Sequence, residues 1–134
     1  MRTDILALIL EEARLGTRGG DIFIHSMPAE CLQGILIKPP LSGVEIDNYL
    51  PGYFNSTMQI IVRAQKQLIG EDLITKAVAA LRHDQSITYN EHPSGVFAMR
   101  INHMLPKNLP IRFPRSDGNG IEWSVNFMTS YVLA

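Results

Sequence analysis

The residues that could do chemistry in this chain are few, and their spacing matches no reactive or metal-binding arrangement. The sequence holds four histidines and one cysteine: His25, His83, His92, His103 and Cys31. None of them pair at the spacing of a zinc site, and there is no nucleophile elbow, phosphate-binding loop or dinucleotide fingerprint. The turn "DGNG" at 117–120 lacks the later glutamate of a calcium loop. We therefore predict no catalytic residue, no metal site, no cofactor and no enzymatic activity.

His103 supports one alternative, a small α+β enzyme or ligand-binding domain. It lies in the apolar stretch "GVFAMRINHML" (95–105), where a lone histidine is usually a core residue. A ligand pocket would need other polar groups to converge on His103, and Arg100 and Glu122 are the candidates. This hypothesis predicts that an apolar replacement of His103 abolishes activity.

A basic stretch supports a second alternative, a nucleic-acid binder. Arg100, Lys107, Arg112 and Arg115 lie within residues 99–116, and no acidic residue separates them. Such a surface could meet an acidic partner or passing DNA. Four charges over this span are also common on an ordinary solvated surface, and no nucleic-acid motif accompanies them.

Size and composition are those of one ordinary domain. The chain has 134 residues, a net charge of −1, 46% apolar and 19% charged residues. We predict a single domain over 1–134, with no whole-protein charge that favours nucleic acid or membrane. One cysteine excludes an internal disulfide. The apolar run from Ile5 to Leu10 is too short for a signal peptide or a membrane span.

The elements that must position these residues follow from hydrophobic periodicity. Helices are predicted over 3–15 and 70–84, and strands over 21–27, 31–40, 57–65, 86–90, 95–105, 111–113 and 121–132. In the second helix Glu71 and Asp72 would lie in the first turn and Arg82 and His83 in the last, which suits the helix dipole. The order indicates an α+β fold, a mostly antiparallel β-sheet with two helices packed on one face.

Two segments suggest contacts beyond the domain. Residues 41–56 form a long irregular loop with the aromatic side chains Tyr49, Tyr53 and Phe54. A loop of that length is usually functional or disordered, and its apolar content argues against plain disorder. The last strand places Trp123, Val125 and Phe127 on a core face. Its other face, with Ser124, Asn126 and Met128, carries one charge in five positions, fewer than solvent-facing strands usually have. We predict that these three residues lie at or near a subunit contact, although an ordinary polar solvent face remains an alternative.

The whole pattern resembles a family, the tail terminator or minor capsid proteins of long-tailed bacteriophages. The resemblance is carried by "YLPGYFNSTMQIIVRAQ" (49–65), "GEDLITKAVAALRHD" (70–84) and "LPIRFPRSDGNGIEWSVNFMTSYV" (109–132). Within these, the V-R-A sequence at 62–64 and the W-S-V-N-F strand at 123–127 match the family pattern. The chain differs in the insert at 83–95 and in the long loop at 41–56.

The resemblance implies a structural virion protein, assembled in the host cytoplasm and located in the phage tail or neck. Such terminators form a ring, typically a homohexamer, that caps the tail tube, stops its polymerisation and joins it to head-completion or neck proteins. DNA would pass through the lumen without sequence-specific binding. A neck or head-completion connector of the same particle is the alternative. The interface residues we predict are Tyr49, Tyr53, Phe54, Arg100, Arg112, Arg115, Ser124, Asn126 and Met128.

Overall fold

The computed structural model describes residues 3–28, 30–40, 44, 46, 48–50, 52–89, 99–114 and 120–133. Its elements in chain order are α1 (Thr3–Glu12), β1 (Ile22–Ile24), β2 (Gly34–Lys38), β3 (Tyr53–Ala64), α2 (Gln67–Leu81), β4 (Ile87–Tyr89), β5 (Met99–Pro106), β6 (Ile111–Pro114) and β7 (Ile121–Leu133). In the described part of the chain, neither helix has the length and apolar character that a membrane crossing requires.

The strands form one curled sheet in the order β1-β2-β3-β7-β5-β4, and β6 also pairs with β7. Among the described pairs only β1–β2 is parallel. Helix α1 lies against β1 and β2, and α2 lies against β3 and β7. The predicted α+β fold, with a mostly antiparallel sheet and two helices, is confirmed.

The last strand lies in the middle of the sheet and is paired along both margins. On one side, β7 pairs with β3 from Ile121 to Val132 without interruption. On the other side, β5 and β6 occupy the two halves of β7. The gap between them is closed at Asn126, whose carbonyl accepts from the N–H of Lys107 and whose N–H donates to Asn108 Oδ1. A contact made through β7 must therefore use its face and not its edge.

The core lies between this sheet and the helices. Trp123, Val125 and Phe127 of β7 stand opposite Val62, Ile60 and Met58 of β3, and all six side chains are buried. The helices add Ile5, Leu6, Leu10, Ile74, Ala77 and Leu81 to the same cluster. This is the core face that alternation predicts for the last strand.

Helix α2 differs from its predicted limits at both ends. The helix begins at Gln67, so Glu71 and Asp72 lie outside its first turn, and it ends at Leu81, before Arg82 and His83. The dipole pairing inferred from residues 70–84 is therefore wrong. Gly70, which suggested a helix start, is instead a buried helical residue that packs against Trp123.

Strand β5 contains an irregularity that alternation could not predict. Its register against β7 shifts between Ile101 and His103, which is the signature of a β-bulge. Ile101 and Met104 are therefore both buried, and His103 is only half-buried. The prediction that His103 shares the core face with Ile101 is wrong. Residues 53–56, predicted as loop, are the first part of β3.

Tyr131 brings an uncompensated polar group into the core. Its ring stacks on Phe54 at a centroid distance of 5.4 Å. Its hydroxyl is buried and has no hydrogen-bond partner among the described residues. Burial raises the pKa of Tyr131 from 10.0 to about 12.

We expect Gly70→Ala to lower the free energy of unfolding by about 3 kcal/mol, because overpacking strains a closed core. An added Cβ would lie 2.0 Å from Cζ3 of Trp123, whose side chain is buried. Chemical denaturation measures the change. Gly20→Ala is the control, since a Cβ there meets nothing closer than 3.6 Å. Equal effects of the two substitutions would contradict this account.

Tyr131→Phe should raise the free energy of unfolding by about 1 kcal/mol at neutral pH, because it removes a buried hydroxyl without a partner. The raised pKa also predicts a pH dependence. The unfolded chain releases the phenol proton near pH 10 and the folded chain does so higher, so stability is lost as pH rises from about 10 to 12. Denaturation curves at neutral and alkaline pH should show a shallower loss for Tyr131→Phe. An equal loss of stability with pH for the wild type and for Tyr131→Phe would contradict this account.

Candidate interaction surface

The residues that could do chemistry are not brought together. Arg100 stands opposite Val132 and Glu122 opposite Arg63, so ten residues of β7 separate their positions, roughly 30 Å along a strand. His103 lies near the Arg100 end, opposite Ser130. No group of three or more histidine, cysteine or acidic side chains that could hold a metal occurs among the described residues. The pocket that the small-enzyme hypothesis required from His103, Arg100 and Glu122 is absent from the described structure.

His83 has a structural position instead. Its N–H donates to the carbonyl of Met104 at 2.9 Å, and its carbonyl accepts from the N–H of Met104 at 2.8 Å. Its Nδ1 lies 2.7 Å from the carbonyl oxygen of Leu81. The residue thus ties the end of α2 to the outer margin of β5. His92 lies outside the described residues.

The sheet face opposite the helices, which we call the open face, is polar and almost uncharged. On its two central strands it presents Tyr53, Asn55, Thr57, Gln59, Ile61, Arg63, Glu122, Ser124, Asn126, Met128, Ser130 and Val132. Many of these polar groups satisfy one another. Gln59 Nε2 donates to Ser124 Oγ at 2.7 Å. Ser130 Oγ donates to the hydroxyl of Tyr53 at 3.1 Å. The side chains of this weakly charged surface are therefore already held in place before any partner binds.

The two charges at one end of this face neutralise each other. Arg63 Nε lies 3.1 Å from Glu122 Oε2, and their side chains are only 11% and 17% exposed. Arg63 Nη1 also donates to the carbonyls of Pro28 and Cys31 at 2.8 and 3.2 Å. The arginine of the V-R-A sequence thus fastens the segment before β2 onto the sheet. It uses strong, charge-assisted hydrogen bonds for that purpose.

Four of the predicted interface residues lie on the two central strands of the open face, with different exposure. Ser124 is buried, Tyr53 and Asn126 are half-buried, and Met128 is 49% exposed. Met128 stands between Thr57 of β3 and Leu105 of β5. It is the apolar side chain at the middle of this face that is most available to a partner.

The other predicted residues are scattered. Tyr49 is almost fully exposed, and Phe54 stacks on Tyr131 on the helix side of the sheet. Arg100 and Arg112 are both exposed, but they stand opposite Val132 and Trp123, on different faces and nine residues apart on β7. Arg115 lies outside the described residues. The basic stretch therefore does not form one continuous patch through Arg100 and Arg112.

Two grooves accompany the sheet. One, of about 170 Å³, opens where β2 leaves β3 and is lined by Lys38, Pro39, Pro40, Thr57, Met58, Gln59 and Asn126. The other, of about 330 Å³, lies between α2 and β6 and is lined by Glu71, Ile74, Thr75, Pro110, Arg112 and Trp123. Neither gathers the convergent catalytic groups of an active site.

Sequence reasoning missed the residues that organise this surface. In the sequence Arg63 appears only as part of the family pattern, and no local motif distinguishes Gln59 or Asn108. Their partners are far away in sequence, at Glu122, Ser124 and Asn126. The available signal was their polarity within strands, since a polar side chain beside buried neighbours needs a hydrogen-bond partner.

We expect Arg63→Met to lower the free energy of unfolding by about 3 kcal/mol, because it leaves a poorly exposed carboxylate and two carbonyls without their donor. The double variant Arg63→Met/Glu122→Leu should recover part of that loss. Lys76→Met is the control: its pair with Asp72 is mostly exposed, at 60% and 63%, and should contribute less than about 0.5 kcal/mol. Urea unfolding of the four proteins, wild type included, measures these values. A loss for Arg63→Met no larger than the control's would contradict the fastening role.

Comparison with known proteins agrees with the pattern found in the sequence. No curated protein matches the chain. The model of one family, described as bacteriophage tail terminator protein, matches residues 9–133, which include the end of α1, the whole of α2 and the strands β1 to β7. Because the match spans nearly the whole chain, the protein belongs to the bacteriophage tail terminator family and is a structural component of the phage tail.

Proposed function

We propose that this protein forms a homohexameric ring that caps the tail tube and stops its polymerisation. The observation that carries the proposal is the family match over residues 9–133. The same ring would join the tube to the head-completion or neck proteins. DNA would pass through its lumen without sequence-specific binding. Assembly would take place in the host cytoplasm.

The open face supports this role as a contact surface. On its two central strands the only charged residues are the paired Arg63 and Glu122, and polar groups there are held by Gln59 and Tyr53. Interface cores are depleted in charged residues. A preordered surface also loses little conformational entropy when a partner binds. We assign Ser124, Asn126 and Met128 to this contact, with Tyr49 and Tyr53 at its margin, whereas Phe54 lies on the other side of the sheet.

The exposed arginines support a second contact. Arg100 and Arg112 lie far apart on the sheet and on different faces, so they fit two separate contacts better than one. We assign the β6–β7 hairpin, with Arg112 and Arg115, to contact with a neighbouring protein of the tail.

A neck or head-completion connector of the same particle is the second candidate function. It differs from the tail terminator only in the partner that it binds.

The test is assembly in the presence of purified tail tubes. Negative-stain microscopy should show rings of this protein at one end of each tube, and light scattering should show that tube growth stops on its addition. A chain that remains monomeric with and without tubes would overturn the ring. Rings that bind head connectors but not tubes would favour the neck protein.

A matched pair of variants locates the contact. Met128→Glu places a charge on the open face and should weaken assembly on tubes at least about tenfold, because burying an unpaired carboxylate is costly. Leu68→Glu makes the same kind of change at a more exposed side chain of α2, outside the sheet. It should leave assembly unchanged. Equal effects would remove the open face from the contact.

A further inference from the structure

On the side away from β7, strand β3 extends well beyond β2, its partner on that side. The pairing of β2 ends where Lys38 meets Gln59, and Pro39 and Pro40 follow. Strand β3 reaches back to Tyr53 beside β7. From Tyr53 to Met58, the margin of β3 that faces away from β7 has no strand partner among the described residues.

The backbone along this margin points outwards. The N–H of Ile35 donates to the carbonyl of Asp21, on the β1 side. The residue of β3 opposite Ile35 therefore directs its backbone N–H and C=O groups towards β7. Successive residues of a strand direct their backbone N–H and C=O groups to opposite sides. Asn55 and Thr57 are therefore the residues of β3 that direct theirs away from β7, along the free margin. The carbonyl of Ser56 confirms the alternation, because it accepts a hydrogen bond from a β7 side chain. Asn55 and Thr57 therefore present their N–H and C=O groups at the free margin.

Two other margins of the sheet are covered. At β1, the N–H of Ile22 donates to the carbonyl of Thr17, and its own carbonyl accepts from the N–H of Gly19. At β5, His83 exchanges two hydrogen bonds with Met104. These are the usual means by which a sheet edge is protected from further pairing.

The margin of β6 is blocked in another way. Ile111 and Phe113 stand opposite Ser124 and Glu122. The even-numbered residues of β7 direct their backbone N–H and C=O groups towards β5 and β6, as the two hydrogen bonds of Asn126 show. The outward positions of β6 are therefore the even ones, of which Pro114 has no N–H to donate. Pro110, which precedes β6, continues the same series.

Strand β4 has no strand partner on its outer side among the described residues, and this margin matches the free part of β3. Tyr53 stands opposite Val132, Val132 opposite Arg100, and Arg100 opposite Thr88. The free margins of β3 and β4 thus lie at the same level of the sheet, on its two sides. Three successive antiparallel pairings make β3 and β4 run in opposite directions. Both margins are uncharged in sequence, over 53–58 and 87–89.

We propose that β4 of one copy of this chain pairs with the free margin of β3 of the next copy. The pairing would be antiparallel and would continue the β3–β7–β5–β4 band from subunit to subunit. A contact between two different surfaces of the same chain is head-to-tail, and such contacts generate closed rings when the rotation closes. This inference rests on the proposed ring and names the surfaces that join its subunits. The groove at Thr57 and Met58, where β2 departs, provides access to that margin.

The first experiment is cross-linking in the full-length protein. In a Cys31→Ser background, Asn55→Cys and Thr88→Cys place two thiols at exposed positions on the same sheet face. A short bismaleimide added to assembled protein should give a ladder of covalent oligomers with the double variant and single bands with each single variant. Dimers from Asn55→Cys alone would show that β3 pairs with β3 and would overturn the proposal.

The second experiment removes one outward hydrogen bond. Thr57→Pro deletes an N–H at the free margin and keeps the ladder to β7. It should raise the concentration for half-assembly about tenfold, the equivalent of one lost hydrogen bond. Thr57→Ala retains the N–H and should change it less than about threefold. Equal effects of the two variants would overturn the pairing.

The outcomes separate this inference from the proposed function. Rings that form normally, without a covalent ladder and without sensitivity to Thr57→Pro, would overturn the edge pairing and leave the ring standing. A wild-type chain that forms no ring, with or without tubes, would overturn both. Circular dichroism of each variant shows whether a loss of assembly reflects a loss of the fold.

Discussion

The position of β7 in the middle of the sheet is the constraint on which the rest of this structure depends. It pairs with β3 from Ile121 to Val132 on one side and with β5 and β6 on the other. One face of β7 carries Trp123, on which Gly70 of α2 rests. The other face carries Glu122, which holds Arg63 and through it the segment before β2. Helical layer, open face and sheet margins are all positioned relative to this strand.

The two faces of β7 meet different physical demands. The helix side is closed by apolar packing, which is non-directional but sensitive to volume. The open face is ordered by hydrogen bonds between neighbouring strands, such as Gln59 with Ser124 and Ser130 with Tyr53. Hydrogen bonds of this kind add little net stability. They do fix the side-chain positions of a surface whose centre, at Met128, remains accessible.

Much of the fold could be predicted from the sequence because helices and strand faces depend on local periodicity. The core face of Trp123, Val125 and Phe127 is an example. Sheet order and register depend on non-local pairing, so the central place of β7 could not be predicted. Nor could the bulge after Ile101, where one extra residue reverses the facing of His103. The alternation predicts that Ser124 and Met128 share one face of the last strand, but the burial of Ser124 under Gln59 depends on a residue of another strand and could not be predicted.

The margins of the sheet decide how such a domain can assemble. A free, uncharged edge is a hazard for a soluble monomer, since any extended chain can pair with it. Here a loop protects β1, His83 protects β5, and prolines protect β6. Three margins of the sheet are thus protected, while the outer margins of β3 and β4 are uncharged and carry no such protection among the described residues. It is the arrangement expected of a chain in which unwanted pairings are prevented and one pairing, between subunits, is kept.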